Sequence, residues 1–188
     1  MMTEEPLTIR PLQAADVPAA KAMMLTVAAG IFAPEHPAAS FVNRHSGAMS
    51  DVDDFRGQYG PPGGTFLVAL AGDVLIGTGA IRRIDEATAE LRRMWLLPAY
   101  HGRGIGYRLI QELFAFARAA GYRRVRLSTS AMQERAIRFY IRLGFSPIAP
   151  YRDTDDEVFM EIVLGRELHP WQSEPNADKT QAGTDQTD

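Results

Sequence analysis

The sequence has no cysteine among its 188 residues. That absence excludes a disulfide, a thiolate zinc site and a cysteine nucleophile together. No charge of one sign dominates: 20 Lys and Arg stand against 23 Asp and Glu, for a formal net charge of −3. A slightly acidic chain suits a polyanion poorly, so nucleic acid is not expected as a partner. No basic region followed by an apolar run opens the chain, so no secretory signal is read. No apolar segment is expected to span a bilayer, and the reading is of a cytoplasmic protein without a membrane. No side-chain set calls for a metal, and no internal repeat is present. What is there suffices for a core: 46% of residues are hydrophobic and 23% are charged, and the length suits one domain.

The most informative stretch runs from Glu90 to Tyr107 and reads as a strand, a stop, a glycine-rich turn and a helix start. Leu91 and the Met94-Trp95-Leu96-Leu97 run supply the apolar content of a buried strand. Pro98 ends it, because proline cannot donate to a sheet ladder. Gly102, Gly104 and Gly106 let the backbone approach whatever lies above the turn. Ile105, Leu109, Leu113 and Phe116 then share one helical stripe. The N–H groups of a helix's first turn point out of its N-terminus, where the dipole favours negative charge. Arg103 and Arg108 add positive charge, so the layout suits a phosphate or pyrophosphate. The plainer alternative is a helix start with three convenient glycines. A P-loop is excluded, since no Gly-Lys-Ser/Thr ending follows. A dinucleotide fold needs an acid about 20 residues on, where Arg123-Arg124-Val125-Arg126 stands instead.

The flanks fill in a mixed α and β chain. Thr8-Ile9-Arg10 reads as a short strand, followed by a helix capped by Asp16, with Pro18 in its first turn and an end near Gly30. Residues 32–64 are less regular, with a short helix over Ser50 to Tyr59. Phe66 to Leu70 and Val74 to Arg83 form a hairpin around Ala71-Gly72-Asp73. Ala89 to Leu97 is the central strand, and Gly121 caps the helix after it. Val125 to Thr129 is a strand, and a helix from about Gln133 ends at Gly144. Pro147 to Tyr151 and Glu157 to Val163 read as the last strands. Residues 1–164 make the domain, and 165–188 read as a disordered polar tail.

Two motifs carry a family resemblance. His101-Gly102-Arg103-Gly104-Ile105-Gly106 resembles the pyrophosphate loop of the GNAT superfamily of acyl-CoA-dependent N-acyltransferases. The run Gln133-Glu134-Arg135-Ala136-Ile137-Arg138-Phe139-Tyr140, continuing to Gly144-Phe145, is similar to that family's Asn-x-x-Ala-x-x-Phe-Tyr-x-x-x-Gly-Phe helix. The likeness covers Thr8 to about Val163. Two positions depart from the pattern: His101 stands for Gln or Arg, and Gln133 for Asn.

The resemblance implies a GNAT-like three-layer α/β/α fold with a mixed, mostly antiparallel sheet splayed at the cofactor site. It implies acetyl-CoA as co-substrate, with the backbone of Met94, Trp95 and Leu96 along its pantetheine arm. It implies pyrophosphate contacts from His101 to Tyr107, including Tyr107 itself, and a contact from Gln133. It places Tyr140 at the helix position whose tyrosine faces the thioester sulfur, where it would protonate the leaving thiolate; a wall tyrosine is the alternative. Glu90 takes the position of a general base facing a small-molecule or peptide amine. Its alternative is an ion-pair partner of Arg82, Arg92 or Arg126. His36 and His45 are further candidate bases, and Asp54 and Asp156 could orient a cationic acceptor. Strand alternation puts Arg92 on Glu90's face and Arg93 on the other. A homodimer is possible. The readings are therefore an N-acetyltransferase, an acyl-CoA-binding sensor without efficient turnover, and an enzyme for a longer acyl group, which bulky Trp95 disfavours.

Overall fold

The structure, a computed structural model, describes residues 6–45, 47–154 and 156–165. Apart from Gly165, the expected tail lies outside the described residues. Strands β1 (Leu7–Pro11), β2 (Thr65–Ala71), β3 (Val74–Arg83), β4 (Thr88–Leu96), β5 (Arg124–Ser130), β6 (Ser146–Pro147) and β7 (Glu157–Val163) form one seven-stranded sheet, ordered β1-β2-β3-β4-β5-β7-β6. Only β4 and β5 run parallel; the other neighbours are antiparallel. Hydrophobic alternation builds the two faces. In β5, Val125, Leu127 and Thr129 are buried while Arg124, Arg126 and Ser128 point to the other face.

Helices cover both faces. On one, α1 (Val17–Phe32) lays Ala20, Met23, Met24 and Val27 against Phe66, Val68 and Ala80. On the other, α5 (Ile105–Ala119) and α6 (Glu134–Leu143) pack against Leu67, Ile76, Leu91, Leu127 and Met160. The result is the expected three-layer α/β/α arrangement. The buried stripe of α5 is Ile105, Leu109, Ile110, Leu113, Phe114 and Ala117. Phe116 is only half-buried beside it. Each fully buried Leu, Ile or Phe on that stripe contributes about 1.5–3 kcal/mol of apolar transfer.

Several local expectations change. Residues 32–64 contain α2 (Ala38–Arg44), α3 (Ser50–Asp53) and α4 (Phe55–Tyr59); the helix expected over 50–59 is broken at Asp54. The Asp16 side chain makes no cap to α1. It takes hydrogen bonds from Arg10 at 2.6 and 2.9 Å and from the Gln13 amide at 2.8 Å. Helix α1 passes Gly30 and ends at Phe32. The segment Ala14–Phe32 is, against expectation, long and apolar enough by length and composition to cross a bilayer. In the fold its apolar side chains supply one of the two cores. Strand β6 covers Ser146–Pro147 rather than Pro147 to Tyr151; the Ile148 amide still donates to the Phe159 carbonyl at 2.9 Å, and Pro150 beyond it has no amide to donate. Tyr151 and Arg152 turn instead onto the sheet face.

Two features of β4 set up the site. Its pairing with β5 runs through Thr88↔Arg124, Ala89↔Val125 and Glu90↔Arg126, and none follows among the described residues. The strands part after Glu90. Its register with β3 also shifts, from Ala80↔Arg92 to Thr78↔Trp95, which places an extra residue in β4. Arg93 sits in that bulge with φ 52°. The bulge overturns the strand alternation expected for Arg93: its guanidinium and that of Arg92 both act on the Asp51 carboxylate.

Candidate functional site

Where β4 and β5 diverge, a cavity of about 510 Å³ opens between the end of β4, the glycine turn, α6 and the C-terminal part of α1. Its lining includes Met94, Trp95 and Leu96 from β4, His101, Gly102, Gly104, Ile105 and Gly106 from the turn, and Gln133 and Tyr140 from α6. The fold thus brings most of the sequence-derived candidates to one cleft. Of that set, Arg103, Tyr107 and Glu90 do not line it.

The turn is built for close approach. Gly102 and Gly104 have φ of 75° and 74°, a region that side chains with a Cβ avoid. Gly104 is the N-cap of α5, and the first bond into the helix runs from the Arg108 amide to the Gly104 carbonyl at 3.0 Å. The first-turn amides ahead of it, Ile105 and Gly106 among them, have no acceptor within the helix. They face a cleft whose far wall is an apolar strand. An extended apolar arm ending in a pyrophosphate fits this donor set: unpaired strand backbone for the arm, helix-start amides for the anion.

Side chains around the turn have partners of their own. His101 Nε2 lies 3.1 Å from the Leu96 carbonyl, which ties the turn to the strand end. The Arg103 guanidinium stacks over the Tyr100 ring at 5.1 Å. Gln133 accepts a 2.7 Å hydrogen bond from the Thr129 hydroxyl through its Oε1.

Tyr140 is buried in the cleft wall, with ring contacts to Phe139 and Phe145 at 5.5 Å each. Burial pushes its phenol well above the ordinary tyrosine value. The phenol, protonated at neutral pH even at its ordinary value, is made a weaker acid.

Glu90 is placed elsewhere. Its side chain is 2% exposed yet fully engaged. Oε2 accepts from Arg82 Nε at 2.7 Å and lies 2.6 Å from Arg82 Nη2. Oε1 accepts from Tyr151 Oη at 3.1 Å and Arg152 Nη1 at 3.0 Å, with Arg92 Nη1 at 3.7 Å. Of its expected ion-pair partners, Arg126 pairs with Glu161 at 2.7 Å instead. Glu90 lines a second, polar cavity of about 670 Å³ with Arg82, Arg83, Tyr151, Arg152 and the Gly60–Gly64 loop.

The other candidates stay apart from the first cleft. His45 Nδ1 is 2.8 Å from the Phe41 carbonyl and its ring stacks on Phe41. His36, Asp54 and Asp156 line neither cavity.

A third cluster has no sequence motif. Asp51 of α3 forms a two-point ion pair with Arg93 and accepts the Tyr59 hydroxyl. Burial alone would raise the Asp51 carboxyl; hydrogen bonds from Arg93 and Tyr59 outweigh it and hold it below the usual range. Burial first, and the Asp51 carboxylate second, push the Tyr59 phenol up to about 12. The only hint in the sequence was the Asp51-Val52-Asp53-Asp54 acidic run, which names no partner.

Comparison with known proteins agrees with this geometry. The profile of the Acetyltransferase (GNAT) family matches residues 31–145. The Uncharacterized N-acetyltransferase YjgM of Escherichia coli is 30% identical over 124 residues, spanning 64% of this chain and 74% of that protein. The IAA acetyltransferase of Azospirillum brasilense is 36% identical over 103 residues, spanning 53% and 67%. Among solved structures, the PaiA N-acetyltransferase of Thermoplasma acidophilum, in complex with coenzyme A, superposes with a TM-score of 0.68 at 21% identity, covering 84% of this chain and 99% of that one.

Proposed function

Because the chain belongs to the Acetyltransferase (GNAT) family, we propose that it moves an acetyl group from acetyl-CoA to a primary amine by direct attack. The observation that carries this reading is the gap between β4 and β5 opening onto a glycine turn at the start of α5, with Tyr140 in its wall.

The residues take the following roles. The amides of the α5 first turn hold the pyrophosphate, where the helix dipole favours negative charge. The edge of β4 from Met94 to Leu96, past its last pair with β5, lies along the pantetheine arm. An amide of that edge near Leu96 donates to the oxyanion of the tetrahedral state. Tyr140 gives its proton to the departing thiolate. Its place in the cleft wall supports this role; burial makes the phenol a weaker acid, so the proton passes only as charge builds on the departing sulfur.

Three hydrogen bonds and the 2.6 Å ion-pair contact of Arg82 Nη2 occupy both oxygens of the Glu90 carboxylate. A general base needs a free lone pair aimed at the amine. We therefore assign Glu90 to holding Arg82, Arg92 and Arg152 in place; the acceptor amine attacks as its free base after losing its proton to water, the nitrogen sheds a second proton to water as the thiolate leaves, and water returns a proton to the Tyr140 oxygen. Trp95 in the cleft lining supports an acetyl rather than a longer acyl group.

The test is thiol release from acetyl-CoA across a panel of amines, with acetyl-CoA binding measured by calorimetry. Release with one amine class is the expected result. Binding with no release from any amine would replace the enzyme by an acyl-CoA sensor.

A further inference from the structure

The strained residue of the central strand lies next to the cleft-lining residues and is clamped from outside the cleft. Arg93 is an arginine, not a glycine, at φ 52° in the middle of β4. It occupies the bulge just past the last β4–β5 pair, Glu90↔Arg126, and just ahead of Met94, Trp95 and Leu96 in the cleft. A side chain with a Cβ leaves this conformation unless its surroundings enforce it.

The surroundings supply three fixings. The Arg93 carbonyl accepts a 2.7 Å hydrogen bond from the hydroxyl of Thr78, a fully buried residue of β3. The guanidinium is gripped at two points by Asp51, with Nε to Oδ2 at 2.9 Å and Nη2 to Oδ1. Asp51 is in turn held by the hydroxyl of Tyr59, a buried tyrosine packed edge-on to Phe66 at 5.3 Å. Val52, next to Asp51, is fully buried in the same core. The clamp thus belongs to α3 and α4 and is anchored in the α1 side of the fold.

The bulge decides which way the next residues face. Met94 turns toward α5, where its sulfur would stand 3.1 Å from a Cβ added at Gly79 and its methyl 3.7 Å from one added at Gly106. Trp95 packs with the opposite core. The strand edge between them is the one assigned above to the pantetheine arm.

We propose that Arg93, held by Asp51 and Tyr59, is a positioning residue: the α3–α4 segment locks the left-handed bulge that aims the β4 edge at the arm of the cofactor. This rests on the acetyl-CoA reading. No atom of the clamp lines the cleft, so its action is through the backbone.

Arg93→Gly and Arg93→Ala separate backbone from side chain. Both delete the clamp, but only glycine adopts the left-handed region freely. Two probes divide the cofactor: CoA, and 3′-phosphorylated ADP, which has the pyrophosphate and lacks the arm. The expected result is that Arg93→Gly binds CoA about ten-fold more tightly than Arg93→Ala, a misplacement effect of ordinary size, while both bind the nucleotide probe alike. Calorimetry at a temperature where melting curves show both variants folded gives the comparison. Should either fail to fold, Asp51→Asn, which keeps the shape and removes the charge, is expected to weaken CoA more than the nucleotide probe.

Equal CoA affinity for glycine and alanine would overturn the inference, as would a loss shared by both probes. If the unaltered chain bound neither probe, the acetyl-CoA reading itself would fall with it. Binding of both probes without the glycine–alanine difference would remove the clamp alone.

Discussion

Replacing Glu90 by Gln tests whether that carboxylate is a base or a keystone of the arginine row. The change is nearly isosteric, so packing is preserved and only charge and donor pattern alter. One carboxylate oxygen becomes an NH2 group and must face either Arg82 or the Arg152–Tyr151 pair; the guanidiniums only donate, and of these partners the Tyr151 hydroxyl alone can turn to accept. Two hydrogen bonds to a charged acceptor are lost, each worth about 1.5–3 kcal/mol. The arginines limit the damage, since Arg82, Arg92 and Arg152 side chains are 31%, 24% and 30% exposed and can turn toward water. Taking about half of the summed loss for that escape leaves roughly 2 kcal/mol of destabilisation, below the ~3–5 kcal/mol of a fully buried pair broken on one side. With a urea m-value of about 2 kcal/mol per molar, the midpoint falls by roughly 1 M. The kinetic expectation is different in kind. The rise of kcat/KM with pH should keep its shape in Glu90→Gln and follow the acceptor amine. A variant of unchanged urea midpoint that loses that rise would refute the reasoning and return Glu90 to general base.

Tyr140→Phe should lower kcat by about 10²-fold, the usual scale of a lost general acid, while CoA affinity measured by calorimetry stays within a few-fold; a collapse of binding without a change in turnover per bound complex would deny Tyr140 its acid role. Gly104→Val forces a β-branched residue to φ 74° at the helix start and closes the anion approach, so CoA binding should weaken by at least ten-fold at about 1–2 kcal/mol of backbone strain; wild-type affinity would remove the turn from the cofactor site. Asp51 has its carboxyl lowered by Arg93 and Tyr59 against the opposing effect of burial. The stability it adds is therefore present above the unfolded value near pH 4 and is lost as pH falls through its lower folded value. Urea midpoints of the unaltered chain should drop below about pH 4 more steeply than those of Asp51→Asn, and parallel curves would contradict the pairing. Tyr59, raised to about 12, works at the other end: stability should decline from about pH 10 toward 12, and Tyr59→Phe should flatten that decline.

Much of the fold could be read from local pattern. The hairpin of β2 and β3 turns at Gly72 as expected, β3 spans Val74–Arg83, and β5 alternates buried and polar positions. Glycine punctuation likewise marks the ends of α5 and α6, where Gly121 and Gly144 adopt φ of 88° and 102°. Such features depend on a few adjacent residues, so their physics is present in the sequence itself. Residues 32–64 were harder, because their short helices are held by contacts with α1 and the sheet rather than by their own propensity.

The sequence by itself determined the glycine turn, the strand before it and the helix with Tyr140, because each is a contiguous motif whose chemistry lies in residue type and spacing. Only the tertiary structure decided what Glu90 and Arg93 touch. Glu90 meets Tyr151 and Arg152 across 61 and 62 positions of chain, and Arg93 meets Asp51 across 42. Contacts at such separations carry no periodicity to read. A single extra residue in β4 then reverses the face on which Arg93 falls, because alternation along a strand survives only while its register does.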